Sequence, residues 1–123
     1  MKRDMELIRK ILFAIEEQYV DTVLYNLQVD GYDINVVAYH CDLLYQAGLV
    51  KDYGCNFADD EIYSFGVGAL TWDGHDYLDK IRSDTVWNKT KAVAKEKGIP
   101  LFIDSVKEIA TAVVAGMVQG AIK

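Results

Sequence analysis

At 123 residues, 51% of them hydrophobic and only one a proline, the chain is long enough for one domain with a real core and too apolar for extended disorder. Its net charge of −6 argues against a protein that coats nucleic acid through its overall charge. Asp4 and Glu6 interrupt any apolar run after Met1, so no secretory signal is expected, and Cys41 and Cys55 read as free thiols in a reducing cytoplasm.

The charge is unevenly spread. From Asp21 to Asp79 eleven acids face one base, Lys51, whereas Lys80 to Lys97 holds six bases against Asp84 and Glu96. Any face that neutralises phosphate must therefore lie on the later, basic segment.

Met5, Ile8, Leu12, Ile15 and Tyr19 recur at steps of three and four, with Ile11 alongside, which predicts an amphipathic helix. Val23, Tyr25, Leu27 and Val29 alternate with Leu24, Asn26 and Gln28, which predicts a strand ended by Asp30-Gly31. A second helix follows, capped by Asp33 and closed at Gly48, with Ile34, Val37, Cys41 and Leu44 in one apolar row and Val36, His40, Leu43 and Ala47 in the next.

Leu49–Tyr53 and Ile62–Leu70 read as the strands of a hairpin whose acidic tip is Gly54–Glu61. Gly66 and Gly68 inside the second strand suggest a bulge or a close backbone approach. Thr71 caps a third helix running to about Ile81 and expected to bury Trp72, Tyr77, Leu78 and Ile81. Trp72 is expected to bridge sheet and helix. A fourth helix, Thr85 to Lys97, starts at a Ser83 or Asp84 cap and is closed by Gly98 before Pro100. Ser105 with Glu108 forms a capping box for a last helix to about Gly120.

That last helix carries no charge between Ile109 and Ile122. It is too short to span a bilayer, which needs about 20 apolar residues, so no membrane role is expected. A helix apolar around most of its circumference needs cover on more than one side. Either the rest of the fold covers it, or Ala112, Val113, Gly116, Met117 and Gly120 form a surface for a second copy; the small residues Ala112, Gly116 and Gly120 lie four apart and permit close approach.

Four stretches carry a family resemblance. They are Met1 to Leu12; Tyr39-His40 with Leu43-Leu44 and Ala47-Gly48-Leu49; Leu70-Thr71-Trp72-Asp73-Gly74-His75; and Asp84-Thr85-Val86-Trp87-Asn88-Lys89-Thr90-Lys91. In these the chain resembles a bacterial and phage domain of unknown function, common in prophages and similar to winged-helix regulators. The resemblance implies a fold and a genomic setting, and no biochemical activity.

The order helix, glycine, two strands, capped helix is itself that of a winged helix. In such folds a short helix and turn precede the recognition helix. Here Tyr19 to Tyr32 reads instead as strand and turn. A recognition helix at 34–46 would offer Asn35, Ala38, Tyr39, Asp42 and Gln46, and no Lys or Arg occurs between Val20 and Val50. Asn35 and Gln46 suit adenine, but Asp42 would face phosphate. The better nucleic-acid or partner surface is Trp87, Asn88, Lys89, Lys91 and Lys95, an aromatic beside lysines, unless Trp87 is a core anchor and the lysines are simply solvated.

His40, Cys41, Cys55 and His75 are the residue types of a zinc site. Adjacent helical residues point about 100° apart, and no metal-ligand spacing occurs, so core packing of both cysteines is the preferred reading. Asp73, His75, Asp76 and Asp79 share a helix without a marked nucleophile, and Gly66-Val67-Gly68 lacks the rest of a phosphate loop.

The expectation is thus an α+β protein, winged-helix-like over 1–82 with a helical extension over 83–123, cytoplasmic, non-enzymatic and without cofactor or metal. It is expected to self-associate and to bind an unknown protein partner. A DNA-binding regulator is the alternative, and an acidic inhibitor of a nucleic-acid-binding protein the weaker one.

Overall fold

A computed structural model describes residues 1–58 and 61–122, with side chains at all of these except 61–63 and 122. The fold is mixed α+β: α1 (Met5–Gln18), β1 (Leu24–Tyr25), α2 (Ile34–Gln46), β2 (Tyr53–Ala58), β3 (Glu61–Val67), α3 (Trp72–Ile81), α4 (Asp84–Lys97) and α5 (Ile103–Ile122). The chain forms two compact units, Met1–His75 and Asp76–Lys123, with the division inside α3.

In the first unit α1 buries Met5, Ile8, Ile11, Leu12 and Ile15 of the predicted stripe and Leu7 besides, while Tyr19, its C-cap, is half-buried. The Asp4 carboxylate caps it, accepting from the backbone N–H groups of Glu6 and Leu7. The strand expected over Val23–Val29 is only two residues long. Asn26 stops it by adopting a left-handed φ of 52° and turning its side chain into the ladder, where Oδ1 accepts from Phe65 N–H at 3.0 Å.

In α2, Val37, Ala38, Cys41 and Leu44 are buried, while Ile34 and Ala47, at its ends, remain exposed. The Asp33 cap is present, with Asn35 N–H donating at 2.8 Å. Gly48 has φ 76°, Leu49 N–H reaches back to Leu44 carbonyl at 2.9 Å and Gly48 N–H to Tyr45 carbonyl at 3.0 Å. This pair of bonds is the Schellman ending that the Ala47-Gly48-Leu49 run predicts.

The sheet is antiparallel with order β1-β3-β2, and α2 packs on β2 and β3. The hairpin strands extend through the stretch expected to be its tip. Gly54 and Asn56 look like loop residues in sequence because they occupy the solvent face, while Tyr53 and Cys55 lie opposite Val67 and Phe65. Of the expected acidic tip, Asp59 and Asp60 lie outside the described residues. Leu49–Lys51 is not a strand, and joins the segment before α3 by the Val50–Leu70 bridge, the Lys51 N–H bond to Ala69 carbonyl and the Thr71 N–H bond to Leu49 carbonyl.

Trp72 is not a core residue: it is 81% exposed. The first turn of α3 meets the chain backbone-first. Thr71 Oγ1 accepts from Gly74 N–H at 3.0 Å and donates to Gly48 carbonyl, and Thr71 N–H donates to Leu49 carbonyl at 3.0 Å. Gly74 faces Leu49 so closely that an added Cβ would overlap the Leu49 carbonyl oxygen. Residues two apart lie about 200° apart on a helix, so placing Gly74 inward puts Trp72 outward.

In the second unit Tyr77, Leu78 and Ile81 are buried as expected, together with Val86, Trp87, Thr90 and Ala94 of α4 and Val106, Ile109 and Ala110 of α5. Helices α4 and α5 pack on each other. Ser83 Oγ caps α4 by accepting from Val86 N–H, and Gly98 closes it at φ 68°. The start of α5 differs from the expected Ser105 cap. The helix begins at Ile103, and Ser105, in its first turn, reaches back to accept from Phe102 N–H at 3.0 Å, the returning half of a capping box.

Candidate functional site

Four surfaces bear on function. The first is the basic helix α4, where Asn88, Lys89 and Lys95 are exposed. Trp87 is only 2% exposed, so its ring is a core anchor with no face open for a base. Lys91, half-buried, lies with Nζ 5.5 Å from the centre of that ring. The geometry brings three polar groups to the surface and withdraws the aromatic.

The second is the outer face of α2. Asn35, Tyr39 and Gln46 are exposed and Asp42 is half-buried, whereas Ala38 is fully buried and has no surface to offer. Tyr39 stands edge-on to His40 with centroids 5.7 Å apart. The Asp42 carboxylate remains a negative charge on a helix without lysine or arginine.

His40 and Cys41 face inward and are fully buried. The two ring nitrogens of His40 are both used: Asp4 N–H donates to Nε2 at 2.8 Å, and Nδ1 pairs with Val36 carbonyl at 2.8 Å. A backbone N–H can only donate, so Nε2 is the bare acceptor and Nδ1 carries the proton. His40 is thereby a structural clasp between α2 and the start of α1. Burial pushes the Cys41 thiol up to about 12, which makes it unreactive. Cys55 is free and only half-buried, a departure from the core position expected for it. Among the described residues no group of His, Cys, Asp and Glu is arranged to hold a metal ion. Asp79, from the acidic run on α3, is bonded to Arg82 at 2.9 Å.

The third surface is α5. Apart from half-buried Val113, residues 111–121 are exposed, including Ala112, Gly116 and Gly120; Val114 is 40%, Met117 42% and Val118 50% exposed. A Cβ added at Gly116 or Gly120 would meet nothing within 4 Å. Val93, Glu108, Ile109, Ala112 and Val113 line a hollow of about 390 Å³ along the α4–α5 seam, directly beside this stretch. Among the described residues no helix is long and apolar enough to cross a membrane.

The fourth surface went unrecognised in the sequence. On the outer face of the sheet, Tyr25, Gly66 and Gly54 stand side by side across the three strands, and a groove of about 520 Å³ opens over them. The signal was partly legible, since Gly66 and Gly68 do mark close approaches. A Cβ at Gly66 would lie 2.8 Å from Val23 Cγ1, and one at Gly68 2.9 Å from Asp52 Oδ2.

These surfaces, carried among the described residues on five helices and a small antiparallel sheet, define a small mixed α+β protein. Residues 2–100 match the family described as "Hypothetical protein (DUF2513)", and the chain belongs to the DUF2513 family. It is 38% identical over 120 residues to a Haemophilus influenzae protein described as "Uncharacterized protein", across 95% of this chain and 98% of that one. The bacterial domain-of-unknown-function family expected from the four motifs is thus the right one. No solved structure matches.

Proposed function

We propose that the protein is a winged-helix-like interaction module of prophage type, cytoplasmic and non-enzymatic, which works by binding protein, beginning with a second copy of itself. The observation that carries this reading is the exposure of α5 from Thr111 to Ala121, a stretch without a single charge. Contiguous apolar surface of this kind is rare on a soluble monomer and marks a contact surface. Two copies of α5 crossing at Gly116 would approach closely, and the hollow beside Ala112 and Val113 would receive a side chain such as Met117 of the other copy. A two-fold axis makes one such surface sufficient for both partners.

DNA binding is the less favoured reading, because Trp87 is internal and α2 carries no positive charge. The acidic-inhibitor reading draws support from the first unit, where thirteen acids stand against five bases. Sedimentation velocity at micromolar concentration tests the self-association. The expected result is a species heavier than the 13.9 kDa chain, converted to monomer by Gly116→Leu. A wild-type chain that sediments as a monomer refutes it. A gel shift with genomic DNA, run across a salt series, tests the DNA reading beside it.

A further inference from the structure

We propose that the groove on the outer face of the sheet is a binding site for a guanidinium group, presented as an arginine side chain by a partner protein. The site is independent of α5 and stands or falls separately from self-association.

The groove is built by what the strands omit. Side chains alternate along a strand, so Tyr25, Gly66, Gly54, Asn56 and Ser64 share the solvent face while Leu24, Val67, Tyr53, Cys55 and Phe65 take the opposite one. Gly54 leaves the floor open, since a Cβ there would meet nothing within 4 Å, while Gly66 lies beneath the Val23 and Tyr25 side chains. The wall is Tyr25, whose Cε1 and Cδ1 lie 3.5 and 3.6 Å from the place a Gly66 Cβ would take, and which is 74% exposed. A tyrosine in a strand with its ring uncovered offers a π face to whatever lies along the floor.

The polar groups at the rim include two acceptors. Asn56 donates through Nδ2 to Ser64 Oγ at 3.3 Å, which leaves Asn56 Oδ1 as an acceptor. Asp52, exposed, contributes a carboxylate, and among the described residues no lysine or arginine pairs with it. No base lines the groove, so an anion would meet no positive side chain there.

An aromatic wall and a carboxylate on one face, with an amide oxygen farther along the strand, describe the complement of a planar, multiply donating cation. Arginine answers the ring and the carboxylate together: its guanidinium stacks on aromatic faces, carries five N–H donors and pairs bidentately with carboxylate. Lysine offers a strongly hydrated point charge that can lie over the ring but cannot pair bidentately with the carboxylate. The thirteen acids of this unit would steer such a cation toward it.

The test is a ¹⁵N–¹H NMR titration of the full chain with the capped tripeptide acetyl-Gly-Arg-Gly-amide, beside its lysine and citrulline counterparts and free L-arginine. Saturable shifts are expected at Gly54, Asn56 and Gly66, strongest with arginine, weaker with lysine and absent with citrulline. Asp52→Asn should weaken binding about tenfold or more, by removing the charged acceptor. Gly54→Val should abolish it, because a Cβ there meets nothing within 4 Å and its branches fill the groove without straining the strand. Equal shifts with citrulline, or unchanged affinity in both variants, would overturn the site. Free L-arginine binding more tightly than the capped peptide would overturn the protein source and make the ligand a small guanidino compound.

Discussion

Gly74→Ala is the substitution that best probes how this fold is assembled. In an ordinary helix it would stabilise, since alanine gains about 1 kcal/mol over glycine in a helix interior. Here the new Cβ overlaps the Leu49 carbonyl oxygen, with Leu70 Cβ a further neighbour at 3.3 Å. The nearest atoms are backbone, held by the Schellman turn at Gly48 and by the Thr71 N–H bond to that same carbonyl, so no flexible side chain can swing aside. Relief requires α3 to move away. Overpacking of this kind costs about 1–3 kcal/mol, and loss of the Thr71–Leu49 bond adds about 1 kcal/mol. Set against the propensity gain, the net loss is about 1–3 kcal/mol, or a fall in Tm of roughly 4–10 °C for a chain of this size. Differential scanning calorimetry measures it directly. A Tm equal to or above that of the wild type would show that helix propensity outweighs the clash and that α3 does not seat on Leu49 as described.

Three further outcomes separate buried from exposed groups. Trp87→Ala should cost about 3–5 kcal/mol in urea unfolding, whereas Trp72→Ala should stay within about 0.5 kcal/mol; comparable losses would contradict the placement of the two rings. His40→Leu leaves the Asp4 N–H without its acceptor and should cost about 1–3 kcal/mol, so an unchanged urea midpoint would deny the clasp. Burial raises the Cys41 thiol from 9.0 to about 12, so its contribution is intact below pH 9 and is lost as pH rises through 12. Across that window Cys41 adds a downward slope of about 1.4 kcal/mol per pH unit; Cys41→Val should remove it, and parallel stability curves would refute the assignment.

Helix signals proved legible because they are local. Asp33, Gly48, Thr71, Ser83 and Gly98 all perform the capping or terminating roles their residue types imply, since a cap depends on a few neighbouring backbone groups. The sheet was legible only in part. Its alternation was masked where Gly54 and Asn56 occupy the solvent face, and β1 was cut short by one Asn26 side chain bonding across to Phe65. Trp72 misled for a related reason: a tryptophan beside a strand is usually a core residue, and only the backbone contact at Gly74 turns it out. The groove escaped notice because it depends on three strands meeting in register, a long-range property that no single stretch of sequence displays.

The two candidate contact surfaces differ in chemistry and so call for different partners. The groove belongs to a unit with thirteen acids and five bases, the bare face of α5 to one with six acids and eight bases. An uncharged helical face selects by shape and area, and a second copy supplies both by symmetry. A carboxylate beside an aromatic selects by charge and planarity, and nothing on α5 answers to that description. Self-association through α5 would bring two grooves into one assembly. A partner carrying two arginines at a matching span would then be held through both at once, and the second contact becomes intramolecular. Weak individual sites are effective in that arrangement. If both contacts form, selection and assembly would rest on separate units of one short chain.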